Sequence, residues 1–170
     1  KETKWAVLET AALDRLETVK PDEDPELLGR ARLAELAKPL LGQDAKDADT
    51  KAFIKELVEV NGVVRPAADG MLVFGHRTFQ EYLAAKQILD EGDIDFLLAR
   101  ANEISWRETI VLALGQARRW EANRIVGGLL SAIDSSLAGL RTRETLVMCI
   151  ETAHRVTEEL YEKMVEFLKQ

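Results

Sequence analysis

At 170 residues and 19.0 kDa the chain has room for one ordinary domain or two small ones, and can bury a core without covalent staples. Its 46% hydrophobic and 31% charged residues are a soluble globular balance, and a net charge of -7 argues against a general nucleic-acid binder. The single Cys149 excludes an internal disulfide framework and fits a reducing cytoplasm. No apolar run approaches the roughly 20 residues of a membrane helix, and no signal peptide opens the chain. The first stretch, "KETKWAVLETAALDRLE", is already helical and lacks an initiator Met, so the chain reads as a piece of a longer protein.

Trp5, Leu8, Ala12, Leu13, Leu16 and Val19 follow i, i+3, i+4 spacing and predict one amphipathic helix. "KPDEDPE" breaks it. A second helix is expected over Glu26 to Leu41, with Pro39 disturbing its last turn. "GQDAKDADT" reads as a polar loop with Asp49 or Thr50 as N-cap of a third helix, Ala52 to Val60. Phe53, Leu57 and Val60 share one face of that helix, and Asn61-Gly62 is a left-handed stop. Val63-Val64-Arg65 and Met71 to Phe74, joined by a loop ending in Asp-Gly, predict a β-hairpin. Three helices followed by a hairpin is the order of a winged helix. A longer helix from about Thr78 to Glu91 follows.

From Asp93 onward the pattern is all helix: Asp93–Asn102, Ser105–Arg118, Glu121–Ile133, Thr142–Arg155 and Thr157–Leu168, punctuated by Gly92, Gly115 and Gly139. "WRETIVLALGQARRW" (106–120) aligns with "TRETLVMCIETAHRV" (142–156) at an offset of 36 residues. Arg107/Arg143, Glu108/Glu144, Thr109/Thr145, Val111/Val147, Ala117/Ala153 and Arg119/Arg155 are identical. A helix pair recurring at that period is the mark of a helical solenoid. The reading is a mainly α chain: a winged-helix domain over 1–91 and a HEAT-like helical-repeat region over 92–170.

Signatures of chemistry are sparse. There is no G-x-x-x-x-G-K-[ST], no Gly-rich turn after a predicted strand, no nucleophile elbow, and too few Cys and His for a zinc site. This argues against an enzyme within these residues. DNA reading by the winged helix is disfavoured as well. The helix before the hairpin sets two Lys against two Glu, and the wing "RPAADG" offers one Arg and one Asp. His76 is the one residue placed for chemistry, where the hairpin turns into a helix. A helix N-terminus carries partial positive charge and exposed N–H groups, and a neutral imidazole there can donate one N–H to an anion such as a phosphate. Local capping against the hairpin is the competing reading.

"FGHRTFQEYLAA" (Phe74 to Ala85) resembles the F-x-H-x-[ST]-F-Q-E-[YF]-x-A-A signature of NACHT-type signalling NTPases, members of the STAND class that includes the NOD-like receptors. "FIKELVEVNGVVRPAADGMLVF" is similar to the helix, strand and hairpin that precede that motif. "ISWRETIVLALG" (104–115) resembles the helix that opens the following repeat region. The resemblance implies a winged helix that closes over ADP held by the nucleotide-binding domain of the same parent chain. His76 would be the sensor that reaches the phosphates. It implies packing roles for Phe74, Phe79, Tyr82 and Leu83, and surface or interdomain positions for Gln80 and Glu81. Trp106 would be a core anchor, with Arg107 completing the W-R pair. It implies ADP or ATP with Mg in the parent but no cofactor in this chain, and a cytoplasmic signalling role in innate or antiviral defence. A protein trigger or self-association on activation would supply further partners. Two other readings stand beside it: a free-standing helical protein-interaction module, and a winged-helix DNA-binding regulator.

Overall fold

The computed structural model describes residues 2–20, 22–42 and 46–169. Pro21, the Gln43–Ala45 part of the polar loop, and the side chains of Val60 and Asn61 lie outside the described residues. The chain forms two compact units that divide between Gln87 and Ile88.

The first unit begins with α1 (Glu2–Thr18), whose Val7, Leu8, Ala11, Ala12 and Leu16 form a buried stripe at helical spacing. Arg15 ties the end of α1 to the loop that follows, donating to the Glu23 carboxylate (2.8 Å) and to the Asp24 carbonyl (2.8 Å). That guanidinium holds the Glu23 carboxyl below its usual range. Leu27 and Leu28 then form a short strand, β1 (Leu27–Leu28), so the second helix starts later than expected, as α2 (Arg30–Leu41). The helix runs through Pro39 for two more residues and ends at Gly42. Next, α3 (Asp47–Asn61) starts ahead of the predicted cap. The Asp49 carboxylate instead accepts the Lys46 backbone N–H (3.1 Å) from the third helical position. Gly62 closes α3 in the left-handed conformation, φ 64.

The hairpin consists of β2 (Val64–Pro66) and β3 (Leu72–Phe74) and leads into α4 (Arg77–Glu91). Pairing is antiparallel in the order β1-β3-β2, with Val64 opposite Phe74 and Leu28 opposite Leu72. The sheet therefore has a third strand beyond the predicted hairpin. Leu28, Val64, Leu72 and Phe74 of the sheet are buried, as are Leu8, Leu33 and Leu57 of the three helices.

In the second unit α5 (Ile94–Leu98) is shorter than predicted and starts from Asp93, whose carboxylate accepts the Phe96 N–H. A 3-10 turn over Ile104–Trp106 leads into α6 (Arg107–Gln116), then α7 (Arg119–Ala132), α8 (Leu137–Cys149) and α9 (Glu158–Leu168). Gly115 and Gly139 lie within α6 and α8 and not at breaks. Ser136 caps α8 through Gly139 N–H (3.1 Å) and donates to the Asp134 carboxylate, which lowers that carboxyl's pKa. Here α6 packs on α8, and α7 packs on both α8 and α9. Burial repeats with the sequence. Thr109, Ile110, Ala113 and Ala117 are buried, and so are Thr145, Leu146, Cys149 and Ala153, each 36 positions on.

Candidate functional site

What sets the position of His76 is the residue before it. Phe74 ends β3 fully buried, and its N–H donates to Glu26 carbonyl (3.1 Å). Gly75 then donates its N–H to Val63 carbonyl (2.7 Å) and lies so close to the end of α3 that a Cβ would stand 2.9 Å from Gly62 carbonyl oxygen. Arg65 reaches across to Gly75 carbonyl (3.2 Å). The strand end is thus pinned on several sides, and the chain emerges at His76 in a fixed direction.

His76 is exposed, and its carbonyl accepts the N–H groups of Phe79 (3.0 Å) and Gln80 (3.4 Å) to start α4. Its Nδ1 lies 3.2 Å from Thr78 N and accepts that N–H. Nδ1 is therefore an acceptor, and in the neutral ring the proton resides on Nε2. Local capping and an outward donor are not alternatives here: one ring nitrogen caps the helix and the other is left with the proton. The Phe79 ring meets the imidazole edge-on at 6.4 Å between centroids.

The rest of the motif divides in a way its letters do not show. Leu83 is buried, as is Phe74. Phe79 is 55% exposed and Tyr82 43% exposed, so a packing role within the described residues is corrected for both. Tyr82 stands with Trp5 on a groove of about 490 Å³ between α1 and α4, whose polar wall includes the Glu9–Lys86 pair (3.4 Å). Gln80 and Glu81 are buried, which corrects the expected surface position. The Gln80 amide donates to Pro25 carbonyl (2.9 Å) and so straps the loop before β1 to α4, while Arg77 holds the Glu81 carboxylate (2.8 Å) one turn on. The Gln80 carbonyl oxygen is buried with no partner among the described residues. Trp106 is buried edge-on to Phe96, with the Arg100 guanidinium over both rings. Arg107 is ion-paired with Glu144. Sequence reasoning passed over Gly75. The glycine between a strand end and a helix start is the signal that marks it.

Among the described residues no group of three or more His, Cys, Asp or Glu side chains is set to hold a metal ion, and no helix is long and apolar enough to cross a membrane. Along α3, Lys55 faces Glu59 (3.9 Å) and Glu56 pairs with Lys4 of α1 (2.5 Å), and the helix sets Lys51 and Lys55 against the carboxylates of Asp47, Asp49, Glu56 and Glu59.

Three helices followed by a β-wing packed on their core define a winged-helix domain. Residues 8–88 match the family model described as a winged helix-turn-helix domain C-terminal to NACHT. It is the domain associated with NACHT proteins and not the NTPase domain itself. Neither the curated proteins nor the solved structures give a significant match to the chain.

Proposed function

We propose that the chain is the regulatory part of a cytoplasmic NACHT-type signalling NTPase, with the winged helix closing over ADP held by the nucleotide-binding domain of the same polypeptide. In this reading the His76 Nε2–H donates to a phosphate oxygen of ADP and stabilises the closed, inactive arrangement. The α6–α9 helices form HEAT-like repeats that sense a trigger or transmit the motion. The observation that carries the reading is the Thr78 N–H to His76 Nδ1 bond at the start of α4, in a domain of a NACHT-associated family. It leaves the ring with one donor of fixed identity at a helix end whose dipole favours anions. Exchange of ADP for ATP would remove the contact and release the domains, a two-state switch biased by its ligand. The excess of carboxylates over lysines along α3 favours this reading over DNA binding, since phosphate-driven binding needs a surplus of cations. The test is His76→Ala in the full-length parent. Faster ADP release and raised basal activity are expected; if both stay unchanged, the sensor role is wrong.

A further inference from the structure

Within the first unit, α1 and α4 part around the groove of about 490 Å³ on which Trp5 and Tyr82 stand. On the α1 side it is lined from positions 2, 5, 6 and 9, which helical spacing places on one face, and on the α4 side from positions 82, 83 and 86 in the same way. Ala6 and the buried Leu83 are its aliphatic lining, and Ala6 is the smallest residue there. Trp5 and Tyr82, each 43% exposed, present aromatic surface to it.

The charged lining is two carboxylates against one ammonium: Glu2, Glu9 and Lys86. Glu9 is buried, an unusual depth for a carboxylate, and its partner among the described residues is Lys86, at 3.4 Å. A close charge-assisted bond is about 2.7–2.9 Å long, and an ionised carboxylate can accept about four hydrogen bonds. Lys86 at its distance supplies little of what a buried carboxylate needs. Glu2, one turn before Trp5, is exposed and has no hydrogen-bond or ion-pair partner among the described residues. The groove thus combines two aromatic side chains with an excess of negative charge. Ring quadrupole and carboxylate attract the same kind of group, a cation.

We infer that the groove between α1 and α4 is a docking site for an arginine-bearing segment of a partner polypeptide, whose guanidinium enters between Trp5 and Tyr82 and donates to the Glu9 carboxylate. The chemistry selects arginine. A planar guanidinium stacks on an aromatic ring and offers a fork of N–H donors that fits a carboxylate, whereas a quaternary ammonium has no donor for Glu9. A lysine would bring the same compact, strongly hydrated ammonium that Lys86 already provides. The dimensions select a polypeptide. Glu2 to Glu9 covers about 10 Å of α1, longer than one guanidinium. Phe79, 55% exposed one turn before Tyr82, extends the aromatic surface along α4 for a flanking apolar side chain. The site goes beyond the nucleotide-sensing reading and is independent of His76.

The test titrates the full chain with the peptide acetyl-Leu-Arg-Leu-amide and with the same peptide carrying citrulline, a neutral isostere of arginine. The Trp5 indole N–H is followed by proton–nitrogen NMR, its signal assigned by Trp5→Phe. The arginine peptide should move that signal at millimolar concentration, and the citrulline peptide should bind roughly 10- to 100-fold more weakly, the effect of losing a charge-assisted contact. Glu9→Gln should lower the arginine peptide to the affinity of the citrulline one, and Ala6→Leu should fill the groove and abolish binding of both with an unchanged melt. The citrulline comparison uses the unaltered chain, so it holds whether or not Glu9→Gln folds. Equal affinity of the two peptides overturns the inference, and so does a Trp5 signal that neither peptide moves. Ethylguanidinium that binds as tightly as the arginine peptide overturns the polypeptide partner, since the groove would then take a free small cation. A chain that sediments as a dimer which Tyr82→Glu dissociates overturns it as well, since the groove would then hold a second copy.

Discussion

Gly75→Ala is the sharpest perturbation of the winged helix, because its effect follows from two distances. The added methyl would lie 2.9 Å from Gly62 carbonyl oxygen and 3.4 Å from Val63 carbonyl oxygen, where ordinary contact begins at 3.4 Å. Neither oxygen can withdraw cheaply. Gly62 closes α3 in a left-handed turn, and Val63 carbonyl accepts the Gly75 N–H at 2.7 Å, so relief must come by sliding β3 away from the end of α3. Overpacking against fixed backbone costs about 1–3 kcal/mol. For a domain of this size each kcal/mol lowers the melting temperature by roughly 4–8 °C, so a drop of about 4–24 °C in the first unit is expected by scanning calorimetry. Gly127→Ala is the control. Nothing lies within 4 Å of its added methyl, in the middle of α7, and it should stabilise the second unit by up to about 1 kcal/mol. A Gly75→Ala protein that melts within a degree of wild type would refute the argument from close approach.

Other expectations follow from the same contacts. Gln80→Ala removes a buried amide and leaves the Pro25 carbonyl without its donor. About 1–3 kcal/mol should be lost in urea unfolding, with protease sensitivity appearing in the loop before β1. Cys149 is buried on α8, and burial together with the Glu108 carboxylate pushes its thiol up to about 12. The raised value means the folded state keeps the proton. At pH 8 a disulfide reagent should react only after denaturation, and stability should fall as pH rises from about 9, the thiol's ordinary value, toward 12. Nitrogen-15 NMR of the neutral ring should find the His76 proton on Nε2. A proton on Nδ1 would contradict the bond from Thr78.

Local signals carried most of the architecture. The spacing of Leu8, Ala12 and Leu16 predicts α1, Gly62 ends α3, and the Asp-Gly loop makes the hairpin. What escaped sequence reading is tertiary in origin. Leu27-Leu28 looks like the start of α2, and only pairing with β3 makes it a strand. Gln80 and Glu81 are expected at surface or interdomain positions; they are buried, with the Pro25 carbonyl and Arg77 as their partners. Phe79 and Tyr82 are expected to pack from the family resemblance, yet they sit on the flank of α4 away from the stripe formed by Leu83, Ala84 and Ile88. Of the candidate site, the histidine and its helix were legible. The division of labour between its two ring nitrogens was not, since it depends on the angle at which Gly75 delivers the residue. The identities at an offset of 36 residues were legible, and the matching burial of Thr109 with Thr145 and Ala113 with Cys149 only in the structure.

The central claim is that His76 contributes one hydrogen bond to a phosphate of ADP in the parent protein. Equilibrium ADP titration of the full-length parent, wild type against His76→Ala, tests it most directly. A hydrogen bond to a charged group contributes about 1.5–3 kcal/mol, so the variant should bind ADP roughly 10- to 100-fold more weakly. Thr78→Ala, which keeps the backbone N–H that orients the ring, should bind ADP as wild type does. Equal ADP affinity in wild type and His76→Ala would contradict the account.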